Sequence, residues 1–413
     1  MPEQSIQRTL AEKIFIGLLC AVALVMPFHK VLPSPLLSLA ALVAIFTGGL
    51  AAKRERLKNN RRIYLFALLY LIPLAGYLLS DNTHEAATDL QVKLSVLLIP
   101  LVLGAYIELK TKEVILILRC FVISCILFAI AAMVKAASDL YATGVNHFYY
   151  KDLVSFTFIH PSYIAMFEVF AVVLLLFKLF GQWKQLAFAV RMVHVVVILF
   201  LLLFIFLLAS KMAILSLFVL LNFTIGLFAA PVYGKLKTFM LLLAINLAGL
   251  ILIISLPKTR ERFIMLFNYR DVGYANSTDS REEIWKSATE ICMKHFFTGV
   301  GSGDAEQVLV DHYKENGFTK GVEERYNAHN QYLQVWIETG IGGLLLFLFI
   351  LGWSVRQSLI ARNYIWFCFL LLFIINIITE SMLKTQSGVV FYAFFNTLLG
   401  LHSSRFERAL TKS

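Results

Sequence analysis

The sequence predicts an all-α integral membrane protein, and three observations carry that prediction. Hydrophobic residues make up 59% of the 413, charged residues only 15%, and the mean hydropathy is +0.76; soluble domains carry roughly 45–50% apolar and about 25% charged residues. Apolar runs recur along the whole chain at close to the ~20 residues an α-helix needs to cross a bilayer. Basic residues collect in alternate connections, as the positive-inside rule requires of a multi-pass protein. The formal charge of +11 is dispersed over those connections rather than gathered on a soluble face. It therefore argues for orientation in a lipid bilayer and against nucleic acid as a partner.

The runs lie at about 13–29, 34–52, 63–80, 94–109, 115–137, 161–180, 192–209, 212–230, 238–256, 339–355, 364–380 and 388–402, which predicts about 12 transmembrane helices in a single polytopic domain, 1–413. The first follows Arg8 and Lys13 without a convincing small-residue cleavage site and reads as a retained helix. With the N-terminus cytoplasmic, Lys53, Arg54, Arg56, Arg61, Arg62, Lys110, Lys112, Lys184, Arg191, Lys235, Lys237, Arg356, Arg362 and the tail with Arg405, Arg408 and Lys412 fall inside. Outside fall 29–33, the acidic stretch 81–91, 138–160, a tight turn at Ser210-Lys211, the long stretch 257–338 and 382–388. The unbroken run from Met192 to Ala230 is divided at Lys211, because a lysine in mid-hydrocarbon is expensive and one at a turn is not.

Segment 257–338 is the one candidate for an extramembrane element, a large, partly helical outside loop between spans 9 and 10. Ser280 three residues before Glu283 reads as a capping box and opens a helix from Arg281 to about His295. Gly299, Gly301 and Gly303 of "TGVGSGD" supply the turn that ends it. A second helix is expected over about 305–316, and "YNAHNQYLQVW" leads into the tenth span. Four of the five cysteines fall inside apolar runs and Cys292 stands alone, so no disulfide framework or CxxC pair is present.

Candidate chemistry gathers on the outer side. His329, Leu333, Trp336, Gly340, Gly343 and Phe347 follow three-four spacing and predict one helical face headed by the histidine. A neutral imidazole there suits a general base on a hydroxyl, or else is an interfacial histidine among Tyr326, Trp336 and the flanking Asn327 and Asn330. Arg281, in the first turn of its predicted helix, sits where free N–H groups and the helix dipole favour an anion and adds a fork that matches phosphate; the alternative is a surface arginine paired with Glu282 or Glu283. Lys211 is a second outer cation or a snorkelling lysine. "FIHPSY" brings His160 and Tyr163 to the same side at the start of a span, and Glu380 is a carboxylate there that can orient an imidazole or accept a sugar hydroxyl. No HExxH or Asp-x-Asp pair is found, and "GVGSG" follows no strand, so neither a resident metal nor a dinucleotide cofactor is expected.

The layout, the long loop, the "SREEIW…HFFTGVGSG" segment and the "HNQYLQVWIETGIGG" segment together resemble the O-antigen ligase and polymerase superfamily of bacterial inner-membrane glycosyltransferases. The resemblance implies a GT-C-like fold in the cell inner membrane, with an active site facing the periplasm. It implies transfer of a glycan from an undecaprenyl-pyrophosphate carrier to an acceptor hydroxyl such as that of lipid A-core, with inversion and without a cofactor or metal. His329 matches the family histidine thought to activate the acceptor, and Arg281 an arginine expected to hold the donor pyrophosphate. Lys211 stands where many members have arginine, which keeps the charge and loses the bidentate fork.

A polymerase extending another carrier-linked glycan and a protein O-oligosaccharyltransferase share this donor chemistry. A lipid-linked glycan transporter is a different class; it calls for charged groups near the midplane of several spans, where Glu168 is the clearest mid-span acid.

Overall fold

A computed structural model describes residues 8–264 and 277–401, with backbone alone for 277–280. The described residues form helices and no strand. Each predicted apolar run holds a helix, but among the described residues eight helices are long and apolar enough to cross a membrane, or up to nine if the pair Pro33–Phe46 and Leu50–Asn59, bent by 113°, counts as one. The Tyr364–Asn376 and Gln386–Leu401 helices are shorter. They lie inside the bundle, where Ser387 to Gly400 are all buried, rather than against lipid.

Aromatic packing sets the centre. Pro161–Gly181 is buried along almost its whole length, and Phe170 meets Phe369 at 5.2 Å and Phe395 at 5.1 Å between ring centroids. Phe121 closes on Phe395 at 4.7 Å. By contrast Lys235–Ser255 is mostly exposed, which places it at the rim.

Several elements differ from their predicted form. The third run is interrupted at 69–70 between Arg61–Leu68 and Leu71–Leu78; Pro73 has no N–H for the Leu69 carbonyl four residues before it. The acidic stretch is no loop: Asn82 caps Thr83–Val92, its side chain accepting from the Glu85 amide at 3.2 Å, and the helix leads into Leu94–Tyr106 as one 24-residue candidate span. Asp89 and Lys93, one turn apart, are buried there because Lys384 and Glu338 neutralise them. The division at Lys211 is present, with Phe188–Leu207 and Lys211–Tyr233 separated by a turn in which Ala209 takes φ 46°.

Within the long segment the helices are Pro257–Ile264, Ser277–Lys294, Ala305–Glu315 and Thr319–Glu323, around a small core of Ile284, Ala288, Ile291, Leu309, Tyr313 and Ile337. The first long helix begins at Ser277, four residues before the expected start. Ser277, Thr278, Asp279 and Ser280 are all capping-type residues, so sequence alone cannot pick among them. Arg281 therefore lies a full turn inside the helix. The expected Ser280 side-chain cap, like the basic tail with Arg405, Arg408 and Lys412, lies outside the described residues.

The single face predicted from His329 to Phe347 does not exist as one helix. His329 precedes the helix Gln331–Ile360, and Gly340 interrupts it at φ 67°, ψ −171°. A Cβ at Gly340 would collide with the Phe297 carbonyl. The break frees backbone groups that the glycine loop takes up: Ile341 N–H donates to Phe296 O at 2.8 Å, Val300 N–H to Ile337 O at 2.8 Å and Gly301 N–H to Glu338 O at 3.1 Å. The "HFFTGVGSG" and "ETGIGG" motifs are thus two sides of one backbone junction that clamps the helices Ser277–Lys294 and Ala305–Glu315 onto the bundle.

Candidate active site

The site is built around a short turn, Ala328 to Asn330, that delivers the chain into the bundle. Asn330 caps the following helix, its Oδ1 accepting from Tyr332 N at 2.9 Å and Leu333 N at 3.1 Å. Asn327 Oδ1 accepts from the His329 amide at 2.9 Å. Between these two fixed points His329 is held at φ 41°, a left-handed conformation that costs a non-glycine residue roughly 1–3 kcal/mol and is tolerated where surroundings enforce it. Both asparagines thus serve the backbone on either side of the imidazole.

Glu380 meets His329 from the connection between the Tyr364–Asn376 and Gln386–Leu401 helices. Its Oε2 lies 3.3 Å from His329 Nδ1, and its Oε1 accepts from Arg281 Nη2 at 2.9 Å. The carboxylate therefore bridges the imidazole and the guanidinium. Gln331, buried, holds that connection in place: its N–H donates to Ile377 O at 2.9 Å and its Oε1 accepts from Leu383 N at 2.7 Å. One residue two positions after the histidine thus pins both flanks of Glu380. Trp285, one turn after Arg281, donates from Nε1 to His329 O at 3.4 Å, so a single helix face supplies both the cation and a grip on the turn.

The side chains are covered but not sealed, with 28% of His329, 24% of Arg281 and 11% of Glu380 exposed. Burial pushes the Glu380 carboxyl up, but the hydrogen bond from His329 and the charges of His329, Arg281 and His160 outweigh it and hold the group below the usual carboxylate range. It is a carboxylate at neutral pH. An ionised Oε2 accepts Nδ1–H and leaves His329 Nε2 as the basic atom. The Tyr326 ring stands 5.4 Å from the imidazole, nearly edge-on.

His160 stands beside this group and is kept neutral. Burial, with Lys151, His329 and Arg262 nearby, lowers it to about 4 against the opposing pull of Glu380. Its Nδ1 accepts from Ser162 N at 3.3 Å, and its Nε2 is 3.4 Å from Tyr150 OH. The Arg262 guanidinium lies 3.6 Å from the Tyr150 ring centroid, a stacked cation. Tyr163, two residues into the helix that follows, packs its ring against Gly388. Lys211 is half-buried at the first position of the Lys211–Tyr233 helix. Among the described residues no three His, Cys, Asp or Glu side chains converge as a metal-binding cluster.

Sequence reasoning missed Trp285, Gln331, Tyr150 and Arg262. The first two carried signals: Trp285 is one helical turn from Arg281, and Gln331 lies in the histidine motif itself. Nothing in the sequence ties Tyr150 to Arg262, which are brought together by packing alone.

Residues 195–348 match the family model described as O-antigen ligase. Over that stretch the chain is similar to the O-antigen ligase superfamily. The matched stretch takes in Lys211, Arg281 and His329 and ends before Glu380, so the carboxylate that joins the last two comes from outside it. No match was found among curated proteins. Members of that superfamily are glycosyltransferase-like ligases and polymerases, and the match supports that general kind of function for this multi-pass membrane protein.

Proposed function

We propose that this protein is an O-antigen ligase-type glycosyltransferase that moves a glycan from undecaprenyl pyrophosphate to a hydroxyl of lipid A-core at the periplasmic face of the inner membrane. The observation that carries the reading is Glu380 bridging His329 and Arg281. General-base chemistry on a hydroxyl needs an oriented imidazole with one free nitrogen, and a pyrophosphate leaving group needs a cation beside it.

In this reading the acceptor hydroxyl gives its proton to His329 Nε2 as its oxygen attacks the anomeric carbon. The bond from that carbon to the pyrophosphate oxygen breaks, and the electron pair leaves with the carrier. Attack opposite the leaving group inverts the anomeric centre. Glu380 holds the imidazole and stabilises the imidazolium that forms. A guanidinium has five N–H donors, so the bond from Arg281 to Glu380 does not exhaust it and the remainder meet the pyrophosphate. Lys211 supplies a further positive charge, and Tyr326, His160 and Tyr163 line the acceptor side. Segment 257–338 roofs the site as a periplasmic loop inserted into the single domain 1–413.

The test is a surface-polysaccharide gel of cells lacking the gene and complemented with wild type, His329→Ala or Arg281→Ala, with the carrier-linked pool assayed alongside. Long chains left on the carrier with bare lipid A-core are expected for both variants. Accumulation of single repeat units identifies a polymerase instead, and wild-type behaviour of both expressed variants removes the proposed site.

A further inference from the structure

The helices Thr111–Thr143, Pro161–Gly181 and Phe188–Leu207 leave a cavity of about 290 Å³ between them, far from His329. Its walls are apolar, with Val122, Ile126, Leu175 and Val197 among them, and Arg119, Lys178 and His194 also line it. The sequence positions put those three at the end of the groove nearest the helix termini at 111, 181 and 188. Lys178 lies 18 residues beyond His160 on one helix, about 27 Å along its axis at 1.5 Å per residue. That is close to the ~30 Å thickness of the hydrocarbon, so the cations stand at the opposite membrane interface from the His329 site.

Two observations mark this end as incomplete. The charge acting on Lys178 is the like charge of Arg119. The acid nearest to Arg119 in sequence, Glu113, is taken by Arg8 at 2.7 Å, and among the described residues no carboxylate pairs with Arg119 or Lys178. Two neighbouring cations beside an open apolar groove call for an anion with a hydrocarbon chain. A guanidinium fork matches phosphate oxygens, and the groove is shaped by three helices for a chain running parallel to them.

We propose that this groove binds an anionic phospholipid of the leaflet opposite the His329 site, its phosphate between Arg119 and Lys178 and one acyl chain along Val122, Ile126 and Val197. Each cation near an anionic lipid contributes roughly fivefold in affinity, and the pair about twenty-five-fold.

The test is native mass spectrometry of the purified full-length chain titrated with phosphatidylglycerol or phosphatidylcholine. Wild type is expected to prefer phosphatidylglycerol, and Arg119→Gln/Lys178→Gln to lose most of that preference while melting like wild type in phosphatidylcholine. If the double variant does not fold, Arg119→Gln alone, at an exposed position, carries the test with an expected loss of about fivefold. Equal binding of the two lipids by wild type overturns the proposal, as does a preference that survives the substitutions. Displacement of phosphatidylglycerol by an equal concentration of a polyprenyl phosphate also overturns it, because the groove is then a carrier-lipid site.

Discussion

Glu380→Gln is the substitution that bears most directly on the proposed chemistry. Glutamine keeps the shape and one acceptor oxygen but removes the negative charge that faces His329 Nδ1 at 3.3 Å and Arg281 Nη2 at 2.9 Å. At 3.3 Å an ion pair in surroundings of effective dielectric ~20 is worth about 5 kcal/mol. With 28% of the His329 side chain exposed, that is an upper limit. A hydrogen bond to a charged group nets about 1.5–3 kcal/mol, which sets the lower end. Taking roughly 2–4 kcal/mol for the imidazolium that forms as the proton moves, turnover should fall between about thirtyfold and a thousandfold.

The assay is transfer by purified protein with carrier-linked donor, resolved into turnover and donor KM. The expected loss lies mainly in turnover, because Glu380 acts on a charge that exists only as the reaction proceeds. In a His329→Ala background the same Glu380→Gln change should cost little, since the group through which it acts is gone. Turnover of Glu380→Gln within threefold of wild type, or a full additional loss in the His329→Ala background, would refute the orienting role.

Further outcomes follow from other parts of the site. Gly340→Ala places a methyl against the Phe297 carbonyl at a backbone angle of φ 67°, and should destabilise by at least about 2 kcal/mol, read as a lower melting temperature in detergent. Lys384 is held by Asp89 at 2.8 Å and Glu338 at 3.1 Å; burial works against its charge, but those carboxylates outweigh it and keep the ammonium above its usual range. Lys384→Met should therefore cost about 3–5 kcal/mol by stranding a buried carboxylate, and Glu338→Gln added to it should recover part of that loss in a double-mutant cycle. His160 is lowered from 6.5 to about 4, so between those values the unfolded chain binds the proton and the folded one does not. Stability should fall as pH drops through that window, and His160→Asn, which keeps a capping side chain, should flatten the slope in melts taken from pH 7 to pH 4.

What the sequence revealed and what it hid divide along the range of the interactions. Helical runs and the histidine and arginine motifs are written in neighbouring residues, and each is found where local spacing put it or within a turn of it. The helix over 83–92 and its burial stay hidden in the sequence because the partners of Asp89 and Lys93 lie as far as 295 positions away. Periodicity carried the His329 stripe straight through Gly340 because a hydrophobic period has no term for one positive φ. Yet that break positions the site. It lets 296–301 pair with the opened backbone of the Gln331–Ile360 helix, which docks the helix bearing Arg281 and Trp285 beside the turn bearing His329. Gln331 then ties the same turn to the connection that bears Glu380. His329, Arg281 and Glu380 come from three separate elements, and the two motifs legible in the sequence make one site only through the glycine junction and the glutamine staple, neither of which carries chemistry itself. Removing either should separate the bridge while leaving the three side chains intact. Gln331→Leu accordingly should lower transfer by about tenfold or more through a misplaced Glu380, and a Glu380→Gln change made on top of it should add less than it does alone.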